Sequence, residues 1–375
     1  METDIYRQLA KHLDRLPGGY PATESGVELR ILRRLFTPEE AELATHLTLI
    51  PEAPRVIARR ARIRLDEAEE RLAEMEGKGL IYAIHRPGRT PHYQALQFVV
   101  GLWEFQVHDL DEAFVRDMEE YRSAWFDPEN WRRAPQLRTI PIGQSIEAPL
   151  AVMPYEQAET LVRTNDRISV APCICRREKK IVGEGCDRPE ETCLSFGNAA
   201  DFYVRNALGR PISQAEALEI LALANEAGLV LQPSNSREAA FLCSCCGCCC
   251  GVLRSIKRHP QPATLVSSPF VASLDAEACT GCETCLDRCQ MEALSIVDGV
   301  ATLDLGRCIG CGLCVSTCPA GALALTRKPA SQQEPVPADY DRAMIRLGEA
   351  RGTLTKTGMV RMLVRSKVDR LLATL

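Results

Sequence analysis

The sequence predicts a multidomain α+β protein, and three observations carry that prediction. A cysteine-free N-terminal stretch has helical periodicity and then two short apolar runs around a Pro-Gly turn. The C-terminal part repeats a strand, a cysteine loop, a short helix and a returning strand. Between them lies a cysteine-rich and mainly helical middle. The expected boundaries are 1–100 for the first domain, 101–140 for a helical connector, 141–264 for a cysteine-rich metal-binding domain, 265–330 for the repeat domain, and 331–375 for a linker with an amphipathic helix.

With 375 residues, 46% hydrophobic and 25% charged, the composition is that of an ordinary globular protein. A net charge of −5 argues neither for nor against a nucleic-acid partner. The opening METDIYRQLAKHLDR reads as a polar amphipathic helix without the apolar core of a signal peptide. The nearest apolar run, QFVVGLWEF (97–105), is far short of the roughly 18 residues a membrane span needs. The expectation is a cytoplasmic protein with no transmembrane segment. Its 18 cysteines would then sit where disulfides are rare, so metal is their expected partner.

In the first domain, helices are expected over 27–36, 39–47, 56–60 and 65–76. Thr37-Pro38-Glu39-Glu40 is a helix start, with proline in the first turn and acids at the positive pole. Leu65, Ala68, Leu72 and Met75 recur at helical spacing until Gly77 and Gly79. LIYAIHRPGRTPHYQAL follows as a hairpin. Helices and a hairpin in this order resemble a winged helix-turn-helix domain. The helix that would read DNA, LDEAEERLAEMEGK, carries six acids against two bases and so presents phosphates with the wrong sign. Arg55, Arg59, Arg60, Arg62 and Arg64 precede it as a basic run that either touches a backbone or is simply solvated. Protein docking is the expected role, with nucleic acid disfavoured. Trp103, Phe105, Phe114, Tyr121, Trp125, Phe126 and Trp131 read as packing residues of the connector.

ACTGCETCLDRCQ (278–290) and RCIGCGLCVSTCP (307–319) each have the spacing C-x2-C-x2-C-x3-C, with 18 residues between Cys289 and Cys308. Cysteines at every third position of a compact loop can wrap three thiolates round one face of an iron–sulfur cube, while the displaced fourth points away. Gly281, Gly310 and Gly312 let the backbone approach. Two zinc sites fit less well, because zinc ligands come as separated pairs. The segment 265–328 resembles the bacterial two-cluster ferredoxin domain. That resemblance implies two [4Fe-4S] clusters, one on Cys279, Cys282, Cys285 and Cys318, the other on Cys308, Cys311, Cys314 and Cys289. Gln290 departs from the proline found at Pro319, so the surroundings of Cys289 are expected to be looser or more polar.

Ten cysteines remain: Cys173, Cys175, Cys186, Cys193, Cys243, Cys245, Cys246, Cys248, Cys249 and Cys250. Ser213 and Glu216 form a capping box for the helix that separates the first four from the last six. The six thiols of CSCCGCCCG are too many for one cube. An extended stretch would send Cys246, Cys248 and Cys250 one way and Cys243, Cys245 and Cys249 the other. Three and three suggests two centres, completed by the upstream cysteines. One or two further Fe–S clusters are expected here, with zinc and a metal-free redox dithiol as the alternatives. Arg176, Arg177, Lys179 and Lys180 either offset cluster charge or form a solvated basic turn. His259 is an outside candidate for an odd ligand.

Together these features resemble a family of anaerobe-type 4Fe-4S proteins, which supplies architecture but no reaction. No Walker, dinucleotide-binding or nucleophile-elbow motif is present, and no catalytic residue is readable. The tail GMVRMLVRSKVDRLLATL (358–375) is an amphipathic helix expected to dock on its own domain rather than on a membrane or partner. The functional expectation is an electron-transfer protein, or the relay component of a low-potential oxidoreductase, working with a redox partner protein. The alternatives are a reductase with the middle centre as active site and a redox-responsive transcription regulator.

Overall fold

Helical spacing at the start of the chain becomes five helices: α1 (Ile5–Asp14), α2 (Val27–Leu35), α3 (Pro38–Ala44), α4 (Pro54–Ala61) and α5 (Leu65–Gly77). The computed structural model describes residues 4–147 and 150–373. Those residues form two units. One comprises Met1–Asp127, Arg205–Leu208 and Met344–Leu375, the other Pro128–Val204 and Gly209–Ala343.

In the first unit, α3 begins on a reciprocal cap. Thr37 Oγ1 accepts from the Glu40 amide at 3.2 Å, and Glu40 Oε2 accepts from the Thr37 amide at 2.8 Å. The hairpin is β1 (Tyr82–Ile84) paired antiparallel with β2 (His92–Gln94). The aromatic segment is no mere connector. Helix α6 (Glu112–Trp125) brings Tyr121 against Tyr20 and Phe98, with ring centroids 4.9 and 5.4 Å away. Trp103 and Phe114 stack edge-on at 5.0 Å, and all five rings are buried. Rings of this size dominate a core energetically.

The second unit holds the cysteines. Its helices are α7 (Pro128–Arg133), α8 (Ala158–Arg163), α9 (Ile174–Ile181), α10 (Asn198–Arg205), α11 (Gln214–Glu226) and α12 (Gly251–Arg258). Its antiparallel sheet consists of β3 (Ile168–Pro172), β4 (Glu191–Phe196), β5 (Arg210–Ile212), β6 (Val230–Pro233) and β7 (Phe241–Cys245), in the order β5-β3-β4-β7-β6, with α11 packed on β3 and β4. This corrects the expectation of a mainly helical middle. The strands are only three to six residues long. In β3, Ile168 through Ala171 are all buried, which erases the alternation by which a strand is recognised.

The repeat region adds β8 (Phe270–Leu274), α13 (Thr284–Arg288), β9 (Leu294–Val297), β10 (Val300–Leu303) and β11 (Leu323–Arg327). Strand β8 pairs with β11 and β9 with β10, both antiparallel. The repeats differ in one element: the first cysteine loop runs into α13, whereas the second continues as turns over 313–317.

Helices α14 (Tyr340–Ala350) and α15 (Lys356–Leu372) end the chain. Helix α15 is held on the first unit by its polar residues. Ser366 Oγ donates to Glu52 at 2.7 Å, Arg60 donates to Asp369 at 2.9 Å, and Arg370 donates to the Pro51 carbonyl at 3.0 Å. Val360, Leu363, Val364 and Val368 are left exposed. No helix among the described residues is long and apolar enough to cross a membrane.

Candidate metal centres

Each cysteine loop of the repeat region closes on a small apolar cavity. One is lined by Cys279, Cys282 and Cys285, with Cys318 arriving from the other repeat. The second is lined by Cys308, Cys311 and Cys314, with Cys289 arriving from the first repeat. Backbone amides point at three of these sulfurs: Ala272 N–H donates to Cys308 at 3.4 Å, Ala293 to Cys289 at 3.2 Å, and Ala301 to Cys279 at 3.4 Å. Such bonds need the chain to lie close to the loop. Gly310 has φ +68°, and a Cβ there would stand 2.2 Å from the Phe270 carbonyl oxygen, so only glycine fits. The second cavity is the drier one. Burial pushes the Cys311 thiol up to about 12 and raises Cys308 and Cys314 as well, whereas Cys282 of the first is exposed. Four thiols around a small cavity, with amides aimed at the sulfurs, fit a [4Fe-4S] cluster.

The ten middle cysteines separate into two groups. Cys186, Cys246, Cys248 and Cys249 have sulfurs all within 4.8 Å of one another. The other six form a row of neighbours: Cys173 beside Cys175, then Cys250, Cys245, Cys243 and Cys193. The dense stretch thus divides three and three, but Cys249 and Cys250 sit opposite to where an extended ribbon puts them. The reason is local. Strand β7 ends at Cys245, residues 247–249 turn, and Cys250 caps α12, accepting from the Leu253 amide at 3.5 Å. Alternation holds for Cys243 and Cys245 and is lost where the strand stops. His259 accepts instead from the Gln261 amide at 3.1 Å.

The electrostatics of these groups centre on Arg176. It is completely buried and donates to the Ser244 carbonyl at 3.0 Å, to Cys246 Sγ at 3.9 Å and to Thr192 Oγ1. Burial disfavours its charge, but the neighbouring sulfurs of Cys173, Cys246 and Cys245 outweigh that and raise its pKa. It therefore serves both groups at once. The expected basic turn is helix α9, and its other bases are engaged with acids: Arg177 and Lys180 with Glu190, and Lys179 with Glu184. The Cys249 thiol, with its amide and the Arg176 charge, draws the Cys246 thiol down to about 4 against its burial. In the six-thiol row, Cys193 and Cys245 hold Cys243 low, while their thiol neighbours and burial push Cys173 and Cys245 up.

The sequence leaves Arg188 unmarked, and it marks Gln290 only as the replacement of a proline. Arg188 donates to Cys248 Sγ at 3.4 Å, and its position two residues after Cys186 was the available signal. Gln290 is buried, and its Oε1 accepts from the Gly247 amide at 2.7 Å. A looser or more polar site is expected from the sequence, but Gln290 is held tightly and the cavity beside Cys289 stays apolar. The side chain that replaces proline ties the Cys289 loop to the dense thiol turn. The approach is close enough that a Cβ on Gly247 would stand 2.4 Å from the Gln290 carbonyl oxygen.

No curated protein and no solved structure matches the chain. Residues 278–323 match the 4Fe-4S dicluster domain. The C-terminal repeat is accordingly an iron–sulfur, ferredoxin-like domain.

Proposed function

We propose that this protein is the relay component of a low-potential oxidoreductase, passing single electrons between a redox partner protein and a further iron–sulfur centre in its middle region. Bound [4Fe-4S] clusters supply one-electron carriers of low potential. Cys279, Cys282, Cys285 and Cys318 hold one, and Cys308, Cys311, Cys314 and Cys289 the other. The six-thiol row of Cys173, Cys175, Cys193, Cys243, Cys245 and Cys250 holds the middle centre.

The observation that carries this reading is the Gly247–Gln290 hydrogen bond. It fastens the thiol turn directly to the residue after Cys289, so the drier ferredoxin cavity faces the middle and the exposed Cys282 faces solvent and a partner. Arg176 and Arg188 lower the cost of gathering so many thiolates. The winged-helix-like region serves docking in this account. The arginines that precede α5 include Arg59 and Arg60, both paired with Asp369, and Arg64, paired with Asp66. Three of the five arginines of that run thus already meet an acid, which lowers the net positive charge offered to a phosphate backbone.

The test is kinetic. Rapid mixing of the full chain with a reduced viologen, followed by freeze-quench spectroscopy, should show the ferredoxin signals forming before the middle signal. In Cys311→Ser the middle signal should form at least tenfold more slowly. An unchanged rate in that variant would mean that the middle centre is fed by another route.

A further inference from the structure

The four-thiol group of Cys186, Cys246, Cys248 and Cys249 has the dimensions of a single ion's coordination shell. Its sulfur–sulfur separations include 3.6 Å for Cys249–Cys186, 3.8 Å for Cys248–Cys249 and 4.0 Å for Cys186–Cys246. A tetrahedron with metal–sulfur bonds of about 2.3 Å has edges of about 3.8 Å. Thiolates bound to four different irons of a cube must stand further apart, because the irons are themselves separated. Among the described residues, no other group of three or more metal-ligating side chains is drawn together this tightly, the ferredoxin-type loops included.

We infer that these four cysteines form a mononuclear site for one soft divalent ion, zinc or iron, distinct from the iron–sulfur centres. Four thiols lose four protons on binding, and the resulting [M(SCys)4] unit carries two negative charges. Two arginines meet them, Arg188 on Cys248 at 3.4 Å and Arg176 on Cys246 at 3.9 Å. All four positions of the tetrahedron are filled by protein, which is the arrangement of a structural ion. The ion staples the loop after α9, through Cys186, to the turn between β7 and α12. It thereby fixes Gly247 against Gln290. The inference does not rest on the relay: it concerns which metal these thiols bind, and it stands whether or not electrons pass.

Full-length protein prepared without oxygen decides it. Metal and acid-labile sulfide are measured in the parent and in Cys186→Ser. The variant should lose one zinc or one iron per chain, with sulfide unchanged. A loss of about four irons together with about four sulfides would overturn the inference. Should the variant not fold, the parent suffices. X-ray absorption at the zinc edge should find four sulfurs at about 2.3 Å, or Mössbauer spectra should resolve one iron outside the clusters. A parent with no zinc and all its iron in clusters would refute the mononuclear site.

Discussion

Replacing Cys173 and Cys175 together with serine should strip the middle centre and leave the ferredoxin-like domain intact. Two cubes account for about eight irons per chain, and the parent prepared without oxygen should hold more than that. Both cysteines belong to the six-thiol row: Cys175 lies beside Cys250 as well as beside Cys173. Losing two adjacent ligands leaves four thiols spread along the row. The double variant should fall to the iron content of the ferredoxin clusters plus any mononuclear ion, with the ferredoxin spectrum unchanged. Iron at about eight in the parent would remove the middle cluster from the account.

Arg176→Met should have the largest effect of any change outside the cysteines. The guanidinium is completely buried, and its partners lie on three sides, at Ser244, Thr192 and Cys246. Removing one partner of a buried charge pair costs about 3–5 kcal/mol, because the other charge is left uncompensated. Methionine fills the space but offers neither charge nor donors. The variant should bind less middle iron and unfold at clearly lower temperature in anaerobic scans. Arg176→Lys should recover little, since one ammonium cannot reproduce a planar fork aimed at three acceptors. An unchanged iron content and midpoint in Arg176→Met would reduce this residue to packing.

The ferredoxin-like domain was legible because its chemistry is written in consecutive residues. Spacing alone placed eight cysteines in two loops, and the cavities draw their fourth cysteine across the repeat. The first-unit helices were legible for a similar reason: caps such as Thr37–Glu40 and the Leu65–Met75 periodicity are local. The five-stranded sheet was not, because its strands are short, β3 and β6 are buried on both faces, and pairs such as β4 with β7 join distant parts of the chain. Nor was the membership of Cys249 and Cys250, which depends on where β7 stops. Arg188 and Gln290 act through tertiary contacts at separations of 60 and 43 residues; their places near Cys186 and Cys289 are visible in the sequence, but their partners are not. The sequence predicts α15 as an amphipathic helix, but its valines and leucines are left exposed and polar side chains hold it, through Glu52 and Arg60 far away in the chain.

The relay itself is tested most directly by a spectroscopic redox titration of the full chain. Cluster potential falls with negative charge and rises with hydrogen bonds to sulfur. Glu283 and Asp287 are exposed acids on the loop of Cys279, where solvent screens them. The amides of Ala272 and Ala293 reach the sulfurs of the drier cluster, and that of Ala301 reaches Cys279, so neither site is strongly favoured. Both ferredoxin signals should half-reduce close together, near −400 mV, and a further signal from the middle thiols should accept electrons beyond those two. Two ferredoxin transitions above zero, or uptake that stops at two electrons, would contradict the relay.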